Sequence, residues 1–140
     1  MSSKFESTVR KIEYPQTAVY NMLSNLENIE KVRDKIPADK AENLHFDADS
    51  VSVEVAPVGK LKMKIVEREE PKCIKFQSED SPIPFFFWIQ ILPMDEKTSK
   101  FKLTLRADIN PFIKSMVKKP LEQGIEKIAD MLQMIKYEDD

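Results

Sequence analysis

In four successive stretches of this 140-residue chain the hydrophobic period is two, and near its end the period changes to three or four. Val51, Val53 and Val55 alternate with Ser52 and Glu54, and Leu61, Met63 and Ile65 alternate with Lys60, Lys62 and Lys64. Ile74 and Phe76 alternate with Lys75 and Gln77. Phe101, Leu103, Leu105, Ala107 and Ile109 alternate with Lys100, Lys102, Thr104, Arg106 and Asp108. Alternation of this kind predicts antiparallel strands with one dry and one wet face, because a parallel sheet buried on both sides reads as continuously apolar. A sheet that is dry on one face needs an apolar element across it. The chain supplies a helix from about Phe112 to Ile135, whose Ile113, Met116, Val117, Leu121, Ile125, Ile128, Leu132 and Ile135 form one stripe. Pro111 suits its first turn, Pro120 removes a backbone hydrogen bond inside it, and Gly124 leaves room for close approach.

The remainder fits around that pair of layers. Phe5 to Ile12 has strand character, and Pro15 opens a short helix carrying Ala18, Val19, Met22, Leu23 and Leu26. Asn25 suits the cap of a second short helix with Leu26, Ile29, Val32 and Ile36, ended by Pro37. Leu44 and Phe46 suggest a further strand, with Asp47 to Ser50 as its turn. Other turn signals stand at Pro57 to Gly59, Glu69 to Lys72, Ser78 to Pro84 and Asp95 to Ser99. The expected fold is α+β, a curved antiparallel sheet of about seven strands wrapped on a long C-terminal helix, with two short helices after the first strand. Residues 1–140 are expected to form one domain.

One strand breaks the alternation. Phe85 to Leu92 is apolar on both faces, so Phe86, Trp88 and Leu92 point away from the core and call for cover by a helix, a loop or a second subunit. A homodimer contact is one expectation for them.

Composition removes several kinds of chemistry. With 22 Lys plus Arg against 24 Asp plus Glu, the net charge of -2 lacks the broad basic field of a nucleic-acid binder, and no nucleic-acid partner is expected. One His, one Cys and two Gly leave no metal spacing, disulfide or glycine-rich phosphate loop, and no cofactor or metal is expected. His45 reads as a polar residue at a strand start, and Cys73, between Lys72 and Ile74, as an inert thiol. The basic run Lys114 to Lys119 reads first as a solvated face and second as a phosphate or membrane contact. No signal core or span of about 20 apolar residues is present, so stable membrane insertion is not expected and the cytoplasm is the expected compartment.

Two stretches carry a family resemblance: Ile12-x-x-Pro15-x-x-x-Val19-Tyr20-x-x-Leu23-Ser24-Asn25-Leu26-x-Asn28, and Phe101-x-Leu103-x-Leu105-x-Ala107-Asp108-x-Asn110-Pro111. The chain resembles the START-like helix-grip domains, the SRPBCC or Bet v 1-like superfamily, in its small bacterial polyketide-cyclase-like branches, over essentially its whole length. The resemblance implies a cavity between sheet and C-terminal helix for lipids, sterols, aromatic polyketides or other apolar ligands.

The candidates for such a cavity are Val53, Met63, Ile65, Phe76, Phe87, Ile89, Leu103, Leu105, Met116, Val117, Leu121 and Ile125. None can move a proton, and no residue set matches a catalytic pattern of the superfamily, so no catalytic residue is named. A bulge reversing the strand phase would bring Glu67, Arg106 or Asp108 inward, and Tyr14 and Tyr20 are within reach of a pocket mouth. Three functions remain open. The first is binding or carriage of an apolar or amphipathic small molecule; the second is a cyclase- or hydrolase-like enzyme on an aromatic or lipid-like substrate. The third is a protein-interaction module docking through Phe86, Trp88 and Leu92.

Overall fold

The computed structural model describes residues 2–28, 44–55 and 59–137. Among them are eight strands, β1 (Ser2–Glu6), β2 (Arg10–Ile12), β3 (Leu44–Phe46), β4 (Ser50–Val55), β5 (Gly59–Glu69), β6 (Cys73–Ser78), β7 (Phe85–Pro93) and β8 (Ser99–Asp108). Two helices join them, α1 (Gln16–Leu23) and α2 (Pro111–Met134). Every pairing is antiparallel, in the order β1-β8-β7-β6-β5-β4-β3, with β2 also on β8. The expected architecture is present, a curved antiparallel sheet gripping one long helix. Asn25 Oδ1 accepts from the Glu27 N–H at 3.1 Å, the contact a second helix start needs. The body of that helix, with Ile29, Val32 and Ile36, lies outside the described residues, as does most of the turn at Pro57.

The turns follow from their side chains. In the β3–β4 turn Asp47 Oδ1 accepts from the backbone N–H groups of Asp49 (3.1 Å) and Ser50 (2.8 Å), and Ser50 Oγ donates to Asp47 Oδ2 at 2.6 Å. Asp95 does the same between β7 and β8, accepting from the Lys97 and Thr98 N–H groups at 2.8 Å each. These are Asx turns, in which a short carboxylate satisfies amides that no strand partner reaches. Gly59 starts β5 at φ +110°, a conformation open to a residue without Cβ.

The stretch expected as one strand, Phe5 to Ile12, is two. Glu6 pairs with Thr104 and Arg10 with Phe101, so β1–β2 carries one more residue than β8 across Ser7 to Val9. Ser7 bridges the irregularity: its Oγ accepts from the Leu103 N–H at 2.9 Å and its own N–H donates to Leu103 O at 2.9 Å. The interruption frees the Thr8 N–H from the ladder, and it donates to Glu126 Oε1 of α2 at 3.0 Å.

Beside Thr8 the Arg10 side chain, only 16% exposed, reaches the same helix. Its guanidinium meets Asp130 Oδ1 at 2.6 Å, Glu126 Oε1 at 3.2 Å and Gln133 Oε1 at 3.1 Å, while its Nε donates to Thr8 Oγ1 at 2.8 Å. Gln133 Nε2 donates to Lys11 O at 3.1 Å, and the wholly buried Tyr137 hydroxyl donates to Leu132 O at 2.6 Å. Burial alone pushes the Tyr137 hydroxyl far above its ordinary pKa, so it stays a donor. The C-terminal half of α2 is therefore fastened to the sheet by polar bonds as well as by apolar contact. Replacing Arg10 by Ala leaves Glu126 and Asp130 facing one another without the guanidinium. We expect a loss of about 2 kcal/mol in urea unfolding, with an unchanged m-value.

Candidate functional site

The dry face of the sheet and α2 enclose a continuous apolar core. Met63, Ile65, Phe76, Phe87, Ile89, Leu103, Leu105, Val117, Leu121 and Ile125 are all buried in it, and Val53 packs at its margin. Phe76 and Phe87, cross-strand partners on β6 and β7, meet edge to face with ring centroids 5.7 Å apart. Met116 is a correction: it is 61% exposed and lines nothing inside. Val117, Leu121 and Ile125 repeat every four residues, and Met116 lies about 100° around the helix from Val117. Ile113 shares the line of Val117 and Leu121 but is still 40% exposed, so the cover gives out one turn before Val117.

Between sheet and helix lies a cavity of about 10 Å³, lined by Leu61, Ile83, Phe85, Leu105, Ala107 and Leu121. All six side chains are apolar. About one water's worth of space without a polar partner stays dry. Two of the sequence candidates, Leu105 and Leu121, line it. Ile83 was missed because Ser78 to Pro84 read as a turn; the signal was an isolated apolar residue between two prolines, here buried.

A polar cluster sits at the other end of the grip, beside α1. Val66 is an extra residue on β5: Ile65 pairs with Phe76, then Glu67 with Lys75 and Arg68 with Ile74. Since cross-strand partners share a face and Ile74 is buried inward, the bulge turns Arg68 to the inner side and Glu67 to the outer. A bulge is present, but it acts against the possibility raised for Glu67: it carries Glu67 outward and brings Arg68 in. Arg68 Nε donates to Ser24 O at 2.9 Å and its Nη2 meets Asp49 Oδ1 at 2.8 Å, tying the end of α1 to the β3–β4 turn. Burial, then the charge of Glu70, raises the Tyr20 hydroxyl above its ordinary value, with Arg68 opposing. Tyr14 packs edge-on against Tyr137 at 6.0 Å, and Arg106 and Asp108 are exposed on β8.

Cys73 is half-buried; burial and then Glu69 raise its thiol above the ordinary value, which suits an inert thiol rather than a nucleophile. Among the described residues no three His, Cys, Asp or Glu side chains converge as a metal site requires. On the outer face Phe86 and Trp88 lie 6.0 Å apart, and the Lys75 ammonium sits 4.7 Å above the first ring and 5.7 Å from the second. Leu92, on the same strand, is 52% exposed.

No family model matches the sequence, and no curated protein matches it significantly. Solved structures do match the fold. Norcoclaurine synthase from Thalictrum flavum, a point mutant in complex with a transition-state analogue, is 13% identical with a TM-score of 0.72, over 95% of this chain and 92% of its own. A protein from Thermus thermophilus is 15% identical with a TM-score of 0.67, covering 94% of each chain. A START superfamily protein from Mycobacterium smegmatis is 13% identical at 0.60, over 95% of this chain and 93% of its own. The chain has the helix-grip, SRPBCC-like fold. Among the described residues no helix is long and apolar enough to cross a membrane.

The turn that holds Asp49 against Arg68 depends on Asp47, whose carboxyl is held below its ordinary value by the Ser50 hydroxyl and then by the Asp49 and Ser50 amides. A lowered folded value means the contribution is complete above the unfolded pKa and disappears as pH falls through the folded one. Melting temperatures followed from about pH 6 down to about pH 2 should therefore fall less steeply for Asp47→Asn than for the wild type.

Proposed function

We propose that the domain binds an apolar or amphipathic small molecule between the sheet and α2, as a carrier or sequestering module. The supporting observation is the character of the interior: a cavity whose lining side chains are all apolar, at the less fastened end of the helix. Its roughly 10 Å³ lies far below the several hundred Å³ that ligand sites occupy. Binding thus requires the N-terminal half of α2 to move outward. Pro120 favours such movement because it leaves the Met116 carbonyl without its helical donor, and Gly124 adds conformational freedom one turn later. The norcoclaurine synthase structure with dopamine and hydroxybenzaldehyde is a case of the same fold holding small aromatic molecules. Cyclase- or hydrolase-like chemistry is disfavoured because, among the described residues, no ionisable side chain lines the cavity.

The carrier reading is tested with an apolar fluorescent probe and with native mass spectrometry of the purified protein. Leu121→Ala enlarges the cavity, at a cost of about 3 kcal/mol in stability, and should tighten probe binding. Ala107→Phe fills it and should weaken binding about tenfold or more, with the far-ultraviolet circular dichroism retained. A wild-type protein that neither retains a small molecule nor binds the probe would sink the proposal.

Phe86, at 36% exposure, and Leu92 support a second reading, a docking or homodimer surface on the outer face of β7. Trp88→Lys should then lower the solution mass measured by light scattering; a wild type that is already monomeric excludes the homodimer.

A further inference from the structure

The first two turns of α2 combine features that neither the core nor the cavity uses. Phe112 is 90% exposed, Met116 61% and Ile113 40%. Phe112 and Met116 are four residues apart and so stack on one side of the helix, with Lys119 one turn further along that line. Lys114 and Lys118 make a second i, i+4 pair on the same segment. None of the three lysines forms an ion pair among the described residues. No acidic residue stands between Ile109 and Leu121. In a chain of net charge -2, this is a local cationic segment carrying large apolar side chains in water.

We propose that this segment, Pro111 to Lys119, is an interfacial docking surface for an anionic phospholipid bilayer. Phe112, Ile113 and Met116 enter the boundary between headgroups and acyl chains, and Lys119, on the same side, meets the lipid phosphates. Lys114 and Lys118, about 160° around the helix from Phe112 and Met116, add to the attraction from within about a Debye length. Charge complementarity selects the partner: a neutral surface leaves the lysines unused, and a purely electrostatic partner such as a nucleic acid leaves Phe112 in water. The helix lies along the interface and does not span it. The cavity-lining Leu121 is five residues beyond Met116, so docking places the loosely covered end of the grip against the lipid. The surface goes beyond the carrier reading and does not rest on it, since bilayer binding is measured with no cargo present.

Vesicle flotation tests the proposal with the full chain. Vesicles of phosphatidylcholine are compared with vesicles also containing phosphatidylglycerol, and the expected partition into the anionic vesicles is about tenfold higher or more, decreasing in about 0.5 M salt. Phe112→Asp with Met116→Asp, and separately Lys114→Ala with Lys118→Ala and Lys119→Ala, should each reduce that partition about tenfold. All five side chains are exposed, so melting temperatures should remain close to wild type. No partition by the wild type, equal partition into neutral vesicles, or retention by both folded variants overturns the proposal. So does a wild-type dimer that Phe112→Asp with Met116→Asp converts to a monomer, which would make the segment a contact between copies of this chain.

Discussion

The described part of this fold depends on one requirement, that the dry face of an eight-stranded sheet be covered by helix, and chiefly by α2. Strands with alternating polarity cannot stack on a second copy of their own sheet within so short a chain. Joined by α1, whose Val19, Tyr20 and Leu23 are buried in the same core, α2 therefore carries most of the cover. It does so unevenly. Toward its C-terminus, Glu126, Asp130 and Gln133 are bonded to Thr8, Arg10 and Lys11, and Tyr137 closes the last turn on Leu132. Toward its N-terminus, Asn110 caps the helix by accepting from the Phe112 N–H at 2.9 Å, and contact with the core rests on Val117 and Leu121. A helix clamped at one end and held by apolar contact at the other is a lever with its pivot already chosen.

The two strand irregularities lie on one rung of the sheet, since Arg68 pairs with Ile74, Ile74 with Ile89 and Ile89 with Leu103, to which Ser7 is bonded. The extra residue at Ser7 to Val9 releases the Thr8 amide, which the clamp on α2 then uses. The extra residue at Val66 turns Arg68 inward, where it joins α1 to the β3–β4 turn. Bulges of this kind re-aim side chains at the cost of a ladder position. Here one irregularity fastens α2 to the sheet, and the other ties the end of α1 to the β3–β4 turn.

The alternation of residues 51–109 and the stripe of the last helix made the layers legible, because each period names which residues share a face. Periodicity says nothing of how far the opposing layer extends. Ile113 and Met116 belong to the apolar run, yet their exposure depends on where the sheet ends, which is a tertiary fact. Bulges were legible only as a possibility, since one inserted residue leaves the local composition unchanged; Val66 is as good a strand residue as Ile65. The Arg10 clamp was invisible for another reason. Its partners lie more than a hundred residues away in the chain, and neither Glu126 nor Asp130 departs from an ordinary solvated helix face.

For the proposed binding function, energetics then narrow what kind of ligand the interior would accept. Opening the N-terminal half of α2 withdraws Val117 and Leu121 from the sheet, and each fully buried side chain of this kind stabilises the closed state by about 1.5–3 kcal/mol. A ligand must return that amount by burying comparable apolar area of its own against Leu61, Phe85, Leu105 and Ala107. A polar molecule would return little there, because among the described residues no cavity-lining side chain can satisfy its donors and acceptors and their desolvation would add to the cost. The clamp through Arg10 keeps the C-terminal half out of this exchange, so the energy to be matched is that of a few side chains rather than of the whole helix. On the proposed carrier reading, selectivity for apolar cargo would thus follow from how the helix is fastened, even before the shape of an opened pocket enters.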